Sequence, residues 1–252
     1  MLRNFNGSYD ILQTMSRVPV SPHKAVLGSS SAKASLDAPL KPLSLSQQAY
    51  ERIKGAILSF ELRPGQFLNE AELCELTGFG RMPVHQAIHR LQSDGLLEIR
   101  PRKGLLIRTD TLHDIVMLIE ARLAIEPNIV ALAAERVSPE QIAELSRLLT
   151  QSAALQSQSH RQSFAAIDRA FHGLVAEAAG NSILAETLRP LHERSDLMWH
   201  LRIMPADGLK VTQREHEAVL QAIADRDPKA AWEAMRAHLA SLQDRIHQAL
   251  GS

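Results

Sequence analysis

The sequence predicts a mainly α-helical protein in two folded parts: a small unit of three helices closed by a β-hairpin, and a larger bundle built of helices alone. Three observations predict it. Aromatic residues make up only 4% of the 252-residue chain, although 45% of it is hydrophobic, and an aromatic-poor chain rich in Ala and Leu favours helices over sandwiches and barrels. Apolar residues recur every three or four positions through most of the chain, the period of a helix with one buried face. That period breaks after Gly95, where two short extended runs flank Pro101-Arg102-Lys103-Gly104.

Residues 1–43 contain Ser, Pro, Ala and Lys without sustained periodicity, and SSSAKAS is of low complexity. They read as a disordered N-terminal arm. The arm is basic and could touch a nucleic-acid backbone, but a plain unstructured extension is the favoured reading. The first folded unit is expected over residues 44–108. A helix starting at Ser46 buries Ala49, Ile53 and Ile57, and Leu62-Arg63-Pro64-Gly65 ends it in a turn. Asn69 caps a short second helix, with Glu72 as its capping-box partner and Leu73 and Leu76 on the buried side. Gly78-Phe79-Gly80 turns into a third helix with Pro83 as its first residue, Val84, Ile88 and Leu91 as its inner stripe and Gly95 closing it. The hairpin follows with its basic tip. Three helices and such a hairpin make a winged helix-turn-helix, whose third helix would enter the major groove of DNA.

From Thr111 onward every pattern is helical. Thr111 with Asp114, Ser138-Pro139-Glu140-Gln141 and Asp227-Pro228 are helix starts. Helices are expected near 111–135, 138–156, 160–179, 181–201, 208–225 and 228–249, a bundle occupying residues 111–250.

Net charge is zero, but the charge is unevenly spread. Residues 81–108 carry six Lys/Arg against Asp94 and Glu98, whereas residues 111–252 carry fourteen against eighteen. A basic segment beside an acidic bundle fits phosphate contact by one part of the chain only. The single cysteine, Cys74, excludes an internal disulfide and suits a reducing cytoplasm. No apolar run nears the ~20 residues that span a bilayer, and no signal core is evident; the protein is expected to be cytoplasmic with no membrane partner.

Four residues concentrate the chemistry. Asp168 and His172 stand four apart in DRAFH, on one helical face. His216 in REHEAVLQAI and His238 in AMRAHL lie in two further helices. Three imidazoles and a carboxylate projecting inward from three helices make a site for a divalent transition metal, zinc first, with nickel, cobalt, manganese and iron behind it. Of the other histidines, His113, His160, His192, His200 and His247 read as hydrogen-bonded core residues.

Residues 44–108, through LSQQAYERIKGAIL, LRPGQFLNEAEL and RMPVHQAIHRLQSDGLLEIRPRKG, resemble the winged-helix domain of the GntR family of bacterial transcription regulators. Residues 111–250, through EARLAIEP, DRAFH, GNSIL, REHEAVLQAI and MRAHL, resemble the FCD effector domain of the FadR subfamily in its shorter, VanR-like form. The resemblance implies that Asp168, His172, His216 and His238 are the family's metal ligands. It makes Arg122, in EARLAIEP, a partner for an effector carboxylate, the rival reading being an ion pair with Glu126 one turn on; Asn181 is a weaker pocket candidate. It assigns a DNA contact to Arg81. His85, Gln86 and His89 on the outer face of the same helix, and Arg102, Lys103 and Gly104 at the hairpin tip, are the further DNA-contact candidates, while Arg90 and Arg100 read as solvated or ion-paired.

The chain departs from the family where the third helix opens. Gly80-Arg81-Met82-Pro83 replaces Ser/Thr-Arg-Thr-Pro, so Met82 is expected to forfeit a hydroxyl cap worth ~1 kcal/mol, and His85 stands where the family has Arg. The implied function is a homodimeric regulator of double-stranded operator DNA, a repressor released by a small carboxylate (a sugar acid or organic acid). A metal-responsive regulator is the first alternative. A metal-dependent hydrolase fused to a DNA-binding domain is the other, weakened by the lack of HExxH, so an enzyme is not expected.

Overall fold

The structure, a computed structural model, describes residues 43–155, 160–197 and 208–251. The expected arm, all but its last residue, and His200 lie outside the described residues. Nine helices and one small sheet make up what is described.

Helix α1 (Leu45–Leu58) begins one residue before the sequence reading, because Ser44 rather than Ser46 accepts the N–H of Gln47, at 3.2 Å. Its buried face is Ala49, Tyr50, Ile53, Ala56 and Ile57. Helix α2 (Glu70–Thr77) has the expected Asn69–Glu72 capping box and ends on Gly78 at φ +72°, a conformation glycine adopts without a Cβ penalty. Leu73 is buried, and Leu76 is half-buried.

Helix α3 (Arg81–Ser93) corrects the reading of its start. Gly80 is the N-cap and donates no side-chain bond, which puts Pro83 third in the helix and Met82 second. Val84 is the first residue to reach back, to the Gly80 carbonyl at 3.4 Å, so proline at the third position still costs no helical hydrogen bond. The missing hydroxyl cap therefore belongs to Gly80, where glycine in place of Ser or Thr costs only a few tenths of a kcal/mol.

Strands β2 (Leu97–Arg100) and β3 (Gly104–Ile107) form the hairpin, with Arg100 opposite Gly104. A strand the sequence did not reveal, β1 (Phe67–Leu68), pairs with β3 on its other edge to give the order β1-β3-β2. Two residues are too short to show a period. The strand explains Gly104, which has φ +94° and whose Cβ would stand 2.5 Å from the Leu68 carbonyl oxygen. The core of this unit joins Tyr50, Ile53, Val84, Ile88, Leu91, Leu97 and Ile107, each worth ~1.5–3 kcal/mol when fully buried.

The bundle comprises α4 (Leu112–Arg136), α5 (Pro139–Ala153), α6 (Arg161–Ala178), α7 (Ser182–Leu197), α8 (Gly208–Ala224) and α9 (Pro228–Gly251). Thr111–Asp114 and Ser138–Gln141 both close as capping boxes, and Asp227 caps α9 through the N–H groups of Lys229 and Ala230. Helices α4 and α7 each contain a proline, Pro127 and Pro190. The main core runs from Ile129 and Val130 through Phe171 and Val175 to Val219, Met235 and Leu239. Phe171 precedes His172, so the helix register that buries one aims the other into the bundle.

Candidate metal centre and nucleic-acid interface

Five helices converge on one buried polar cluster. Helix α4 supplies Arg122 and Glu126, α6 Asp168 and His172, α7 His192, α8 His216 and α9 His238. The three expected imidazoles meet: ligand atoms of His172, His216 and His238 all lie within 4.8 Å of one another, and all three residues are buried. His216 Nε2 stands 3.3 Å from His238 Nε2 and 3.6 Å from Asp168 Oδ1. Phe171 stacks on His216 at 4.6 Å, fixing its ring plane.

A second layer of groups orients the rings. His238 Nδ1 lies 2.8 Å from Glu215 Oε2, and Arg245 holds the other oxygen of Glu215 at 3.1 Å. A carboxylate on Nδ1 places the proton there and leaves the Nε2 lone pair facing inward, as ligating histidines require. His172 Nδ1 lies 2.9 Å from Glu126 Oε2. The Nε2 of His172 has no hydrogen-bond partner, although the residue is buried, and a buried polar atom left so costs about 1–3 kcal/mol. An ion among the three Nε2 atoms would satisfy it. The donor set of three nitrogens and a carboxylate suits a transition metal, so these residues fit the group.

The electrostatics agree. Burial pushes the His216 imidazolium down well below its ordinary value, and the neighbouring His238 and His172 push further. Burial also lowers His238, against the opposing pull of Glu215. His192 falls to about 4, again chiefly through burial. Burial acts to raise the Glu126 carboxyl, but Arg122, His192 and His172 outweigh it and hold Glu126 well below the carboxylate range. His192, His216 and His238 are thus held towards the neutral imidazole beside Glu126 held towards the carboxylate, the protonation states that metal binding needs.

One residue here escaped the sequence reading, and Glu126, read there only as an ion-pair partner of Arg122, pairs with Arg122 and reaches two histidines besides. His192, taken as a core histidine, belongs to the cluster: its Nε2 is 3.1 Å from Glu126 Oε1, and Glu126, His172 and His192 form a second converging trio. The i, i+4 spacing of Arg122 and Glu126 was the available signal for Glu126; His192 had none. By contrast His113, His160 and His247, also read as core, are exposed. His113 and His247 stand on outward helix faces and His160 at the N-cap of α6, placements that a residue type cannot report.

Arg122 is buried and already engaged: its Nε pairs with Glu126, and Nη1 donates to Ser195 Oγ at 3.2 Å. Asn181 is not brought to the cluster. It caps α7 by accepting from the N–H of Leu184 at 3.2 Å, and the groove it lines contains none of the four expected ligands. A neighbouring groove between α6 and α7 does reach the cluster, at His192, and Arg169 and Arg189 line it.

Helix α7 also touches the winged unit. Glu193 Oε1 lies 3.0 Å from Lys54 Nζ of α1. Arg194 pairs with Asp110 at 2.7 Å, and its Cδ would lie 3.2 Å from a Cβ at Gly95. Leu197 joins the winged unit's core. Within residues 192–197, His192 and Ser195 thus reach the polar cluster while Glu193, Arg194 and Leu197 reach the winged unit.

On the winged unit Arg81, His85, Gln86 and His89 share the exposed side of α3, and Arg102 and Lys103 are exposed at the hairpin tip; Gly104 is half-buried against β1. Arg100 pairs with Glu98, as expected; Arg90, expected to be solvated or ion-paired, instead turns inward over the Tyr50 ring, 3.8 Å from its centroid, and donates to Gln47.

Comparison with known proteins places this geometry. Residues 45–107 match the model described as bacterial regulatory proteins, gntR family, and residues 117–241 match the FCD domain. The HTH-type transcriptional regulator YcbG of Bacillus subtilis is 28% identical over 222 residues, 81% of this chain and 90% of that protein. The HTH-type transcriptional repressor RspR of Escherichia coli is 25% identical over 210 residues, 83% of this chain and 91% of its own. Among solved structures, E. coli McbR/YncC superposes with a TM-score of 0.71 at 22% identity, over 82% of this chain and 99% of that one. No described helix is long and apolar enough to cross a membrane.

Proposed function

Because this chain belongs to the GntR family of bacterial regulatory proteins and carries an FCD domain, and so is a DNA-binding transcription regulator, we propose that it is a metal-containing homodimeric repressor released from its operator by a small carboxylate. In this reading residues 44–108 bind DNA, residues 111–250 bind the effector and form the dimer, and the protein works in the cytoplasm. The repressor role has support in the likeness to RspR, a transcriptional repressor by name.

The observation that carries the reading is the convergence of buried His172, His216 and His238, with the Nε2 of His172 left without a hydrogen bond. Asp168, His172, His216 and His238 would hold the ion, zinc foremost among zinc, nickel, manganese and iron. The ion supplies a Lewis-acidic positive charge to which a carboxylate can bind. Glu215 and Glu126 orient the rings. Arg122 would fork onto the effector after leaving Glu126. Arg81, His85, Gln86 and His89 would face the major groove, and Arg102, Lys103 and Gly104 the backbone.

Regulation requires the effector to favour one arrangement of the winged units over another. Helix α7 is suited to carry that preference, since Ser195 bonds Arg122 while Glu193 and Arg194 hold Lys54 and Asp110. The test is elemental analysis of the purified protein followed by a gel shift on the operator with a panel of sugar and organic acids. One ion per chain and release by one acid class is the expected result; a metal-free protein would overturn the reading. The prior engagement of Arg122 by Glu126 and Ser195 favours a second reading, in which the metal itself is the signal. Release of DNA by metal alone, with no acid effective, would select it.

A further inference from the structure

A different pair of histidines lies on the DNA-reading helix. His85 and His89 stand one turn apart on α3, both exposed, with Nε2 atoms 3.2 Å apart and rings edge to face at 4.6 Å. Nitrogens so placed hold at most one hydrogen between them. With metal–nitrogen bonds of ~2.0–2.1 Å, nitrogens 3.2 Å apart subtend roughly 100° at an ion, between the octahedral and tetrahedral angles. Two histidines at i and i+4 are a recurring helical chelate for transition metals. Glu70 Oε2 lies 3.7 Å from His85 Nδ1, on the ring edge away from His89, where a carboxylate favours the proton on Nδ1 and the lone pair on Nε2.

We propose that His85 and His89 form a second, surface site for a divalent transition metal, independent of the buried cluster, and that its occupancy competes with DNA. The ion would sit over the exposed face of α3, between the two imidazoles and any base edge. Water fills its remaining positions, so binding is weaker than in a four-ligand site. Coordination by both Nε2 atoms moves the hydrogen held between them to the Nδ1 of its own ring, so each imidazole stays neutral and no proton is released.

The probe is nickel chloride with the full-length chain. In equilibrium dialysis at micromolar nickel, the unaltered protein should hold one ion more per chain than either His85→Gln or His89→Gln. Equal loading of all three would overturn the site. On operator DNA, the unaltered protein should lose at least tenfold in affinity on nickel addition, reversed by a chelator. The same loss should persist in His216→Ala, which lacks a buried ligand, and shrink to near unity in His89→Gln. Nickel that leaves DNA affinity unchanged would overturn the competition. Because the dialysis compares variants that all keep the buried cluster, its outcome is separable from the metal reading above.

Discussion

Helices α3 and α6 each carry two potential metal ligands four residues apart, under opposite conditions. Asp168 and His172 face the bundle interior, where His172 is only 2% exposed and meets imidazoles from two other helices. His85 and His89 face water, and the His85 side chain is 54% exposed. Spacing makes either pair a chelate; burial decides what the chelate is worth. Inside, an unbound imidazole nitrogen lacks even water, so an ion removes a penalty as well as forming bonds. Outside, water already satisfies both rings, and the ion gains only what two nitrogens supply over solvent.

Acid should separate the two regions most strongly. His192, His216 and His238 all have imidazoles held down in the fold, His192 to about 4. An unfolded chain takes up those protons near pH 6.5, and the fold does not. The unfolded state therefore binds more protons between about pH 6.5 and 4, and stability falls as pH falls through that window. For His192 alone the shift corresponds to about 3 kcal/mol. Below the ordinary Glu range Glu126, held well down, adds loss of the same sign. Urea unfolding of the chelator-treated protein at pH 7 and pH 5 measures the effect. Equal midpoints would mean that the buried rings are not kept neutral.

Removal of a single ligand comes next. His216→Ala should weaken binding of the buried ion more than 100-fold, beyond the 10–100-fold typical of outer partners, while leaving the surface pair intact. Competition with a chelator of known affinity reads it. Retention of full metal affinity would break the contrast between the two regions.

Glu215→Gln should act more gently, because Glu215 touches the ring of His238 and not the ion position. A loss of 10–100-fold in metal affinity is expected, with operator affinity unchanged without metal. If the variant matched the parent, the proton on His238 Nδ1 would have to be held by something else.

How much of this was written in the sequence depends on the range of the interaction. Capping boxes at Asn69, Thr111 and Ser138 were legible because both partners lie within four residues. The meeting of His172, His216 and His238 was legible only through family resemblance, since 44 and 22 residues separate the three. His192 was not legible at all: the register of α7 against α4 puts it on Glu126, and nothing local distinguishes it from exposed His247. Strand β1 was equally hidden, and with it the reason for Gly104. The N-cap of α3 was misplaced because proline marks a helix start without saying which of the first three positions it fills.

That misplacement yields the smallest prediction. Gly80 has extended backbone angles, φ −70° and ψ 173°, and no side chain to cap the free N–H groups of α3. A Cβ there meets nothing within 4 Å, so Gly80→Ser adds its hydroxyl without strain. The gain from Gly to Ser at an N-cap is a few tenths of a kcal/mol, near the limit of urea unfolding but measurable as a shift in midpoint. Met82→Thr, at the second helical position, should give no comparable gain, because its hydroxyl lies beyond the cap. Were Met82→Thr to stabilise and Gly80→Ser not, the helix would start at Pro83. The facing of His85 and His89 that the surface site depends on would then have to be redrawn.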